Sequence, residues 1–289
     1  MSLPTHLPSI GHPAVVVSAI IPALNEQASI AAVVSGLLAQ RGSDGRPLIH
    51  EVIVANNGST DQTAAIAARA GAKVIDVPKR GYGRACWEAA LISSADVFLY
   101  VDGDGAAEPS QARSIIELLA SGADLVIGVR DQPEAGSMTA LQTWGNRLTC
   151  SLMGLIWGIR ASDLGPYRAV RRSAYVAMDM QDRSYGWTVE MQVRAHCLGL
   201  VVKEVPVSWH ARTGGVSKVS GTLRGAIGAG IGILGMIARI WLVERQRPPH
   251  EKFPFAAVMK PAINSTRYSS PNLPPNSPPN SPLNSLRKS

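Results

Sequence analysis

Cysteine is scarce in this chain. The three cysteines, Cys86, Cys150 and Cys197, are odd in number and far apart. That excludes a disulfide framework and a close-spaced thiolate metal site, and it fits buried thiols in a reducing compartment. Acid is in deficit as well, with 21 Asp and Glu against 28 Lys and Arg, for a net charge of +7. Such a balance suits anionic partners. Basic residues interleaved with aromatics on one clustered surface are missing, which argues against nucleic acid as the partner. Long apolar runs are missing too. The best candidate, residues 223–243, contains Arg224 and Arg239, and its uncharged core from Gly225 to Ala238 is 14 residues long. A spanning helix needs ~20, so this segment reads as a core helix or one lying in a membrane interface. Residues 1–14 lack the charged start and apolar stretch of a secretory signal. The expected location is cytoplasmic, with peripheral contact on the inner face of the membrane left open.

What is present is a core. The chain is 46% hydrophobic, enough for one sizeable domain. Apolar strand runs alternate with helical ones: strands near 15–21, 51–55, 73–77, 96–101 and 124–128, and helices near 25–39, 61–70, 83–93 and 109–119. That alternation predicts βαβ units and a largely parallel sheet. The second half predicts a helix over 140–160, a strand at 167–170, a helix over 188–198 and a strand at 201–207. Pro206 marks that last strand as an edge or a strand end. Pro, Asn and Ser dominate from residue 245 on, a composition that predicts disorder.

Candidate chemistry collects where strands end. Asp102 and Asp104 flank Gly103 at the end of a buried strand, and ligands of open α/β sheets bind outside the carboxyl ends of strands. Hard divalent cations take carboxylate oxygens and share them with substrate phosphates. Pro22, Ala23, Asn25 and Glu26 close the first strand, where they either hold a base or ribose or simply begin a helix. Asn57 follows the second strand as a candidate nucleobase or ribose partner, with Ser59 and Asp61 as helix caps. Gly81 and Arg84 follow the third, as a phosphate-approach loop or a solvated one. His210 is a candidate third metal ligand or a packing histidine, and His196 reads as structural.

In this order the motifs Pro22-Ala23-Leu24-Asn25-Glu26, Asn57-Gly58-Ser59-Thr60-Asp61, Gly81-Tyr82-Gly83-Arg84-Ala85 and Asp102-Gly103-Asp104 resemble the family-2 glycosyltransferases, whose GT-A fold binds a nucleotide sugar. Further on, Asp163-Leu164-Gly165-Pro166-Tyr167-Arg168-Ala169, Tyr185-Gly186-Trp187-Thr188-Val189-Glu190-Met191, Glu204-Val205-Pro206-Val207 and the 212–218 segment look like the dolichol-phosphate mannosyltransferase branch. The chain departs from that pattern at Leu24, at Asn56-Asn57 (usually Asp-Asp), at Gly103 and at Leu164-Gly165-Pro166.

The resemblance implies a GT-A-like, mostly parallel α/β sheet flanked by helices over residues 15–222. A flexible 1–14, an apolar or interfacial helix at 223–244 and a disordered tail at 245–289 would surround it. It implies a UDP- or GDP-sugar donor, Mg²⁺ or Mn²⁺ on Asp104 and Asp102, and a phosphate-bearing acceptor such as a polyprenyl phosphate. Asp163, Arg168, Glu190, Arg212, Ser217 and Lys218 would surround the phosphates, and the glycine-hinged 212–218 loop would close over them. A homodimer is compatible with the sequence. So are two rivals: an enzyme with a soluble acceptor or a sugar nucleotidyltransferase, and a non-catalytic nucleotide-sugar-binding or membrane-scaffold protein.

Overall fold

The computed structural model describes residues 15–130, 133–213 and 235–242. Ser217, Lys218, the N-terminal segment, the tail and most of 223–243 lie outside the described residues. Seven strands form one sheet in the order β3-β2-β1-β4-β6-β5-β7. They are β1 (Val17–Ala23), β2 (Glu51–Asn56), β3 (Lys73–Asp76), β4 (Val97–Tyr100), β5 (Leu125–Val129), β6 (Arg168–Arg171) and β7 (Val202–Pro206). Helices α1 (Ile30–Leu38), α2 (Thr63–Arg69), α3 (Tyr82–Ile92) and α4 (Ala112–Ala120) follow β1 to β4, the last after a 3₁₀ turn at Pro109–Gln111. Then come α5 (Ala140–Trp157), α6 (Arg172–Met178) and α7 (Trp187–Cys197).

Strand side chains alternate between two cores, as a period of two demands. Val17, Ala19, Ile21 and Ala23 of β1 join Val33 and Leu37 of α1 and Ile115 of α4 on one face. Ile20, Phe98 and Tyr100 face α3, α6 and α7 on the other, with Trp187 fully buried among them. The centre of the sheet is buried on both sides, so its strands are continuous apolar runs.

The first four strands are parallel, and β1 lies between β2 and β4. The chain therefore reverses its direction of travel across the sheet between β1 and β4. That is the switch point at which a crevice opens beyond the strand ends. The sheet departs from full parallelism at β6, which runs antiparallel to both β4 and β5. Pro206 ends β7, the edge strand, as its missing N–H requires. Helix α6 was not expected. It begins directly after β6 with no side-chain cap, so the sequence carries no start signal for it. Helix α1 starts at Ile30 rather than at Asn25 or Glu26, because Asn25 takes a positive φ of 54° and turns the chain.

Residues 235–242 are helical. Met236, Ile237 and Ile240 are buried against Cys150 and Met153 of α5 and Val189 and Val193 of α7. One face of this described part packs on the protein, while Trp241 and Leu242 stay exposed. Among the described residues no helix is long and apolar enough to cross a membrane.

Candidate active site

A cleft of about 580 Å³ opens at the switch point. Its floor is Asp102, Gly103 and Asp104. One wall is Pro22, Ala23, Leu24, Asn25 and Glu26 with Asn57. Another is Arg80, Gly81, Tyr82 and Ala85, and the far wall is Arg130, Leu164, Pro166, Tyr185, Thr188 and Arg212. Thus the loops after β1, β2, β3 and β4 all reach one cavity. Gly103 allows the floor to sit close: a Cβ there would come within 3.2 Å of both Ile21 and Ile30. The Ser29 hydroxyl donates to the Gly103 carbonyl at 2.7 Å and pins the floor to the start of α1.

The two carboxylates differ in their surroundings. Burial pushes the Asp102 carboxyl up to about 7, and the charge of Asp104 adds to the rise. The Tyr82 hydroxyl, donating to Asp102 Oδ1 at 3.0 Å, pulls the other way. Asp104 Oδ1 accepts from the Ala106 N–H at 3.0 Å. Its Oδ2 lies 2.9 Å from the Arg212 guanidinium, which also stands 3.8 Å from Glu26. Arg212 reaches there because Ala107 bridges to Trp209 and the His210 N–H donates to the Ala106 carbonyl. Asp102, raised by burial, and Asp104 beside it offer only hard oxygen donors. The pair therefore fits Mg²⁺ or Mn²⁺, ions that take one or two carboxylates and fill the remaining positions with phosphate and water. Among the described residues there is no group of three or more His, Cys, Asp or Glu side chains suited to a metal. His210 is not a third ligand here. It is half exposed, 3.5 Å from Glu108 and 3.6 Å from Glu134, away from the cleft lining.

Several expected ligand contacts are instead internal. Both protons of the Asn57 side-chain amide go to the carbonyls of Val77 (3.0 Å) and Lys79 (2.9 Å), and its oxygen accepts from the Gly81 N–H at 2.8 Å. Asn57 lines the cleft, but its polar atoms hold the β3–α3 loop and are not turned to a base. Ser59 does not cap α2; its hydroxyl accepts from the Asn25 N–H. Asp61 accepts from the Thr63 N–H at the start of α2 and also from the Gln27 N–H. The second motif thereby fastens the first.

Gly81 and Gly83 make room for protein backbone, not for a ligand alone. A Cβ on Gly83 would approach the Asp182 carbonyl to 2.6 Å, and Gly81 has a φ of 146°. The N–H groups of Gly83 and Arg84 donate to the carbonyls of Ser184 and Arg183, so this end of α3 is already capped. The Arg84 side chain pairs with Glu88 outside the cleft lining.

Glu190, Arg168 and Asp163 are buried beneath the cleft and are absent from its lining. Glu190 accepts from the N–H groups of Gln181 and Asp182 and from Arg194. It holds the segment that covers α3. Arg168 donates to the carbonyls of Leu164, Gly165 and Thr188, and so sets the wall formed by Leu164, Pro166 and Thr188. Burial draws its pKa down to about 10, which leaves it charged at neutral pH. Asp163 accepts from Arg130 Nε at 2.7 Å and from the Arg130 N–H at 3.0 Å, fixing that guanidinium over Trp209 at the cleft wall. Burial alone would raise the Asp163 carboxyl, but the bonds and charge of Arg130 outweigh it and hold the group below its ordinary range.

Residues 18–177 match the family described as glycosyl transferase family 2. The chain belongs to glycosyl transferase family 2. An uncharacterized glycosyltransferase of Mycobacterium tuberculosis is 36% identical over 217 residues, covering 73% of this chain and 93% of the relative. The polyprenol monophosphomannose synthase of Mycolicibacterium smegmatis is 30% identical over 223 residues, covering 70% and 80%. Among solved structures, glucosyl-3-phosphoglycerate synthase from M. tuberculosis, crystallised with Mn²⁺, UDP and phosphoglyceric acid, superposes with a TM-score of 0.63. It is 22% identical and covers 79% of each chain, a likeness of fold.

In this transferase, sequence reasoning missed Arg130 and gave Tyr185, which opens the 185–191 motif, no role in the cleft. Arg130 directly follows β5, the same kind of position that singled out Asp102 after β4. Tyr185 carries no such signal, since its loop reaches the cleft only through the bonds of Glu190 and α3.

Proposed function

We propose that this glycosyl transferase moves a hexose from a nucleotide diphosphate sugar to a polyprenyl phosphate. The observation that carries the reading is the cleft itself: a carboxylate pair on its floor faces three arginines, Arg80, Arg130 and Arg212. That arrangement suits a ligand rich in phosphate, because guanidinium forks match phosphate oxygens. The named activity of the M. smegmatis relative supports a polyprenyl acceptor.

The acceptor phosphate oxygen attacks the anomeric carbon, forming a new C–O bond. The bond from that carbon to the donor diphosphate breaks, and its electron pair leaves with the nucleoside diphosphate. Such a displacement inverts the anomeric centre. A phosphate oxygen is already ionised at pH 7, so no strong base is required. Asp104 and Asp102 would hold a divalent cation, which would offset charge on the departing diphosphate. Arg130, fixed by Asp163, binds phosphate oxygens from the far wall, and Arg80 does so beside the β3–α3 loop. Arg212 binds phosphate oxygens beside Asp104, a role the resemblance extends to Ser217 and Lys218. Glu190 and Arg168 act as positioning residues.

The test is transfer from labelled UDP- and GDP-hexoses to polyprenyl phosphate, with free 3-phosphoglycerate as the soluble alternative. A lipid-linked hexose should form, and EDTA should stop it. Asp104→Ala should abolish transfer while the protein remains folded. Product on the soluble acceptor alone, or near-normal EDTA-sensitive turnover in Asp104→Ala, refutes the reading.

A further inference from the structure

Helix α5 is apolar on both sides. Its inward positions Cys150 and Met153 are buried against α7. On the outside, Leu141, Trp144, Leu148 and Leu155 are 52%, 63%, 37% and 83% exposed. At ~100° per residue these four lie within about 60° of one another around the axis. A helix apolar all round is ordinarily buried, and a contiguous exposed apolar stripe marks an interaction surface.

The charge around this stripe says what fits it. Residues 135–162 contain no Asp or Glu, and their only charged side chains are Arg147 and Arg160, both exposed. An apolar face that carries an indole and is edged by arginines suits the boundary between acyl chains and anionic headgroups. Its position is equally specific. The side-chain oxygen of Asn146 accepts from the Leu164 N–H at 3.0 Å, and Leu164 lines the cleft. The outer face of α5 is thus rigidly tied to a wall of the active site.

We propose that the outward face of α5, through Leu141, Trp144, Leu148 and Leu155, docks on an anionic lipid bilayer. Docked in this way, the helix lies in the headgroup plane and brings the cleft wall next to lipid-borne phosphate. The purpose of the contact rests on the polyprenyl acceptor reading; the contact itself does not. It differs from the membrane contact expected for residues 223–243, whose described part buries Met236, Ile237 and Ile240 against α5 and α7 and leaves Trp241 and Leu242 exposed.

Co-sedimentation of the full chain with phosphatidylcholine vesicles, with and without phosphatidylglycerol, tests the proposal. The protein should pellet with the anionic vesicles. The double variant Trp144→Ser, Leu155→Ser should lose about tenfold or more in partitioning, with its Tm unchanged because both side chains are well exposed. Val176→Ser, on the exposed side of α6, should bind as the parent does. The double variant should keep full transfer to a short-chain, water-soluble polyprenyl phosphate and lose transfer to long-chain acceptor in vesicles. A parent protein that stays in the supernatant, a double variant that pellets equally well, or a parent dimer that the double variant converts to monomers overturns the docking surface. Vesicle binding that depends on α5, without transfer to any polyprenyl phosphate, upholds the docking surface and sinks the acceptor reading instead.

Discussion

Arg212 stands where the Asp104 carboxylate would otherwise carry an uncompensated charge. Its guanidinium is 2.9 Å from Asp104 Oδ2, and Asp104 is almost fully buried. A guanidinium and a divalent cation compete for the same oxygen. A hydrogen bond to a charged partner is worth about 1.5 kcal/mol or more, a factor of roughly ten in affinity. Arg212→Ala should therefore tighten Mn²⁺ binding about tenfold while lowering the rate of sugar transfer. Titration of Mn²⁺ by electron paramagnetic resonance, beside steady-state rates, separates the two effects. Weaker Mn²⁺ binding in Arg212→Ala would mean that the arginine supports the cation and does not compete with it. Asp102 contributes differently: its Oδ1 is already held by Tyr82, so Tyr82→Phe should disturb the pair while leaving Asp104 in place.

At the scale of elements, the motifs serve each other before they serve a ligand. Asn57 joins the end of β2 to the β3–α3 loop through three hydrogen bonds. A carboxylate at this position has no proton to give to the Val77 and Lys79 carbonyls. Asn57→Asp should cost about 1–3 kcal/mol for the lost donors, or roughly 2–12 °C of Tm in a domain of this size. A calorimetric Tm equal to the parent's would show that the loop does not depend on this amide. This is also why its role was not legible beforehand. The residue type, the strand end and the turn could be read from Val54 to Gly58, but the carbonyls that consume the amide belong to the loop after another strand. Where a signal is local the sequence is a good guide: apolar runs such as 97–101 gave strands, and Asp102 and Asp104 reached the cleft floor. The run at Tyr167–Val170 also announced a strand, but its direction is fixed by pairing with β4 and β5 and could not be inferred from the residues alone. Arg168 and Glu190 were legible as charged residues in meaningful motifs. That their partners are backbone groups of Leu164, Thr188 and Gln181 is a consequence of tertiary packing.

For the whole molecule, the seam between the two halves runs through the buried Asp163–Arg130 pair. Arg130 directly follows β5 on one side, and Asp163 opens the segment leading to antiparallel β6 on the other. The Gln192 amide from α7 donates to the Asp163 carbonyl at 3.0 Å and adds a third element. Gly165 allows this close approach, since a Cβ there would collide with the Gly128 carbonyl. The carboxyl of Asp163 titrates below its ordinary value in the folded protein. A group whose folded pKa is depressed binds protons more weakly when folded than when unfolded. Its stabilisation is complete above the unfolded carboxylate value of about 3.9 and fades as pH falls through the lower, folded one. Asp163→Asn removes the charge and leaves Arg130 short of a partner, and breaking a buried pair costs about 3 kcal/mol or more. The variant should therefore unfold about 6–12 °C below the parent at pH 7. The two melting curves should converge as the pH drops below about 4, because the parent then loses the same interaction by protonation. A gap in Tm that stays constant from neutral to strongly acidic pH would assign the loss to packing around residue 163 and not to the ion pair.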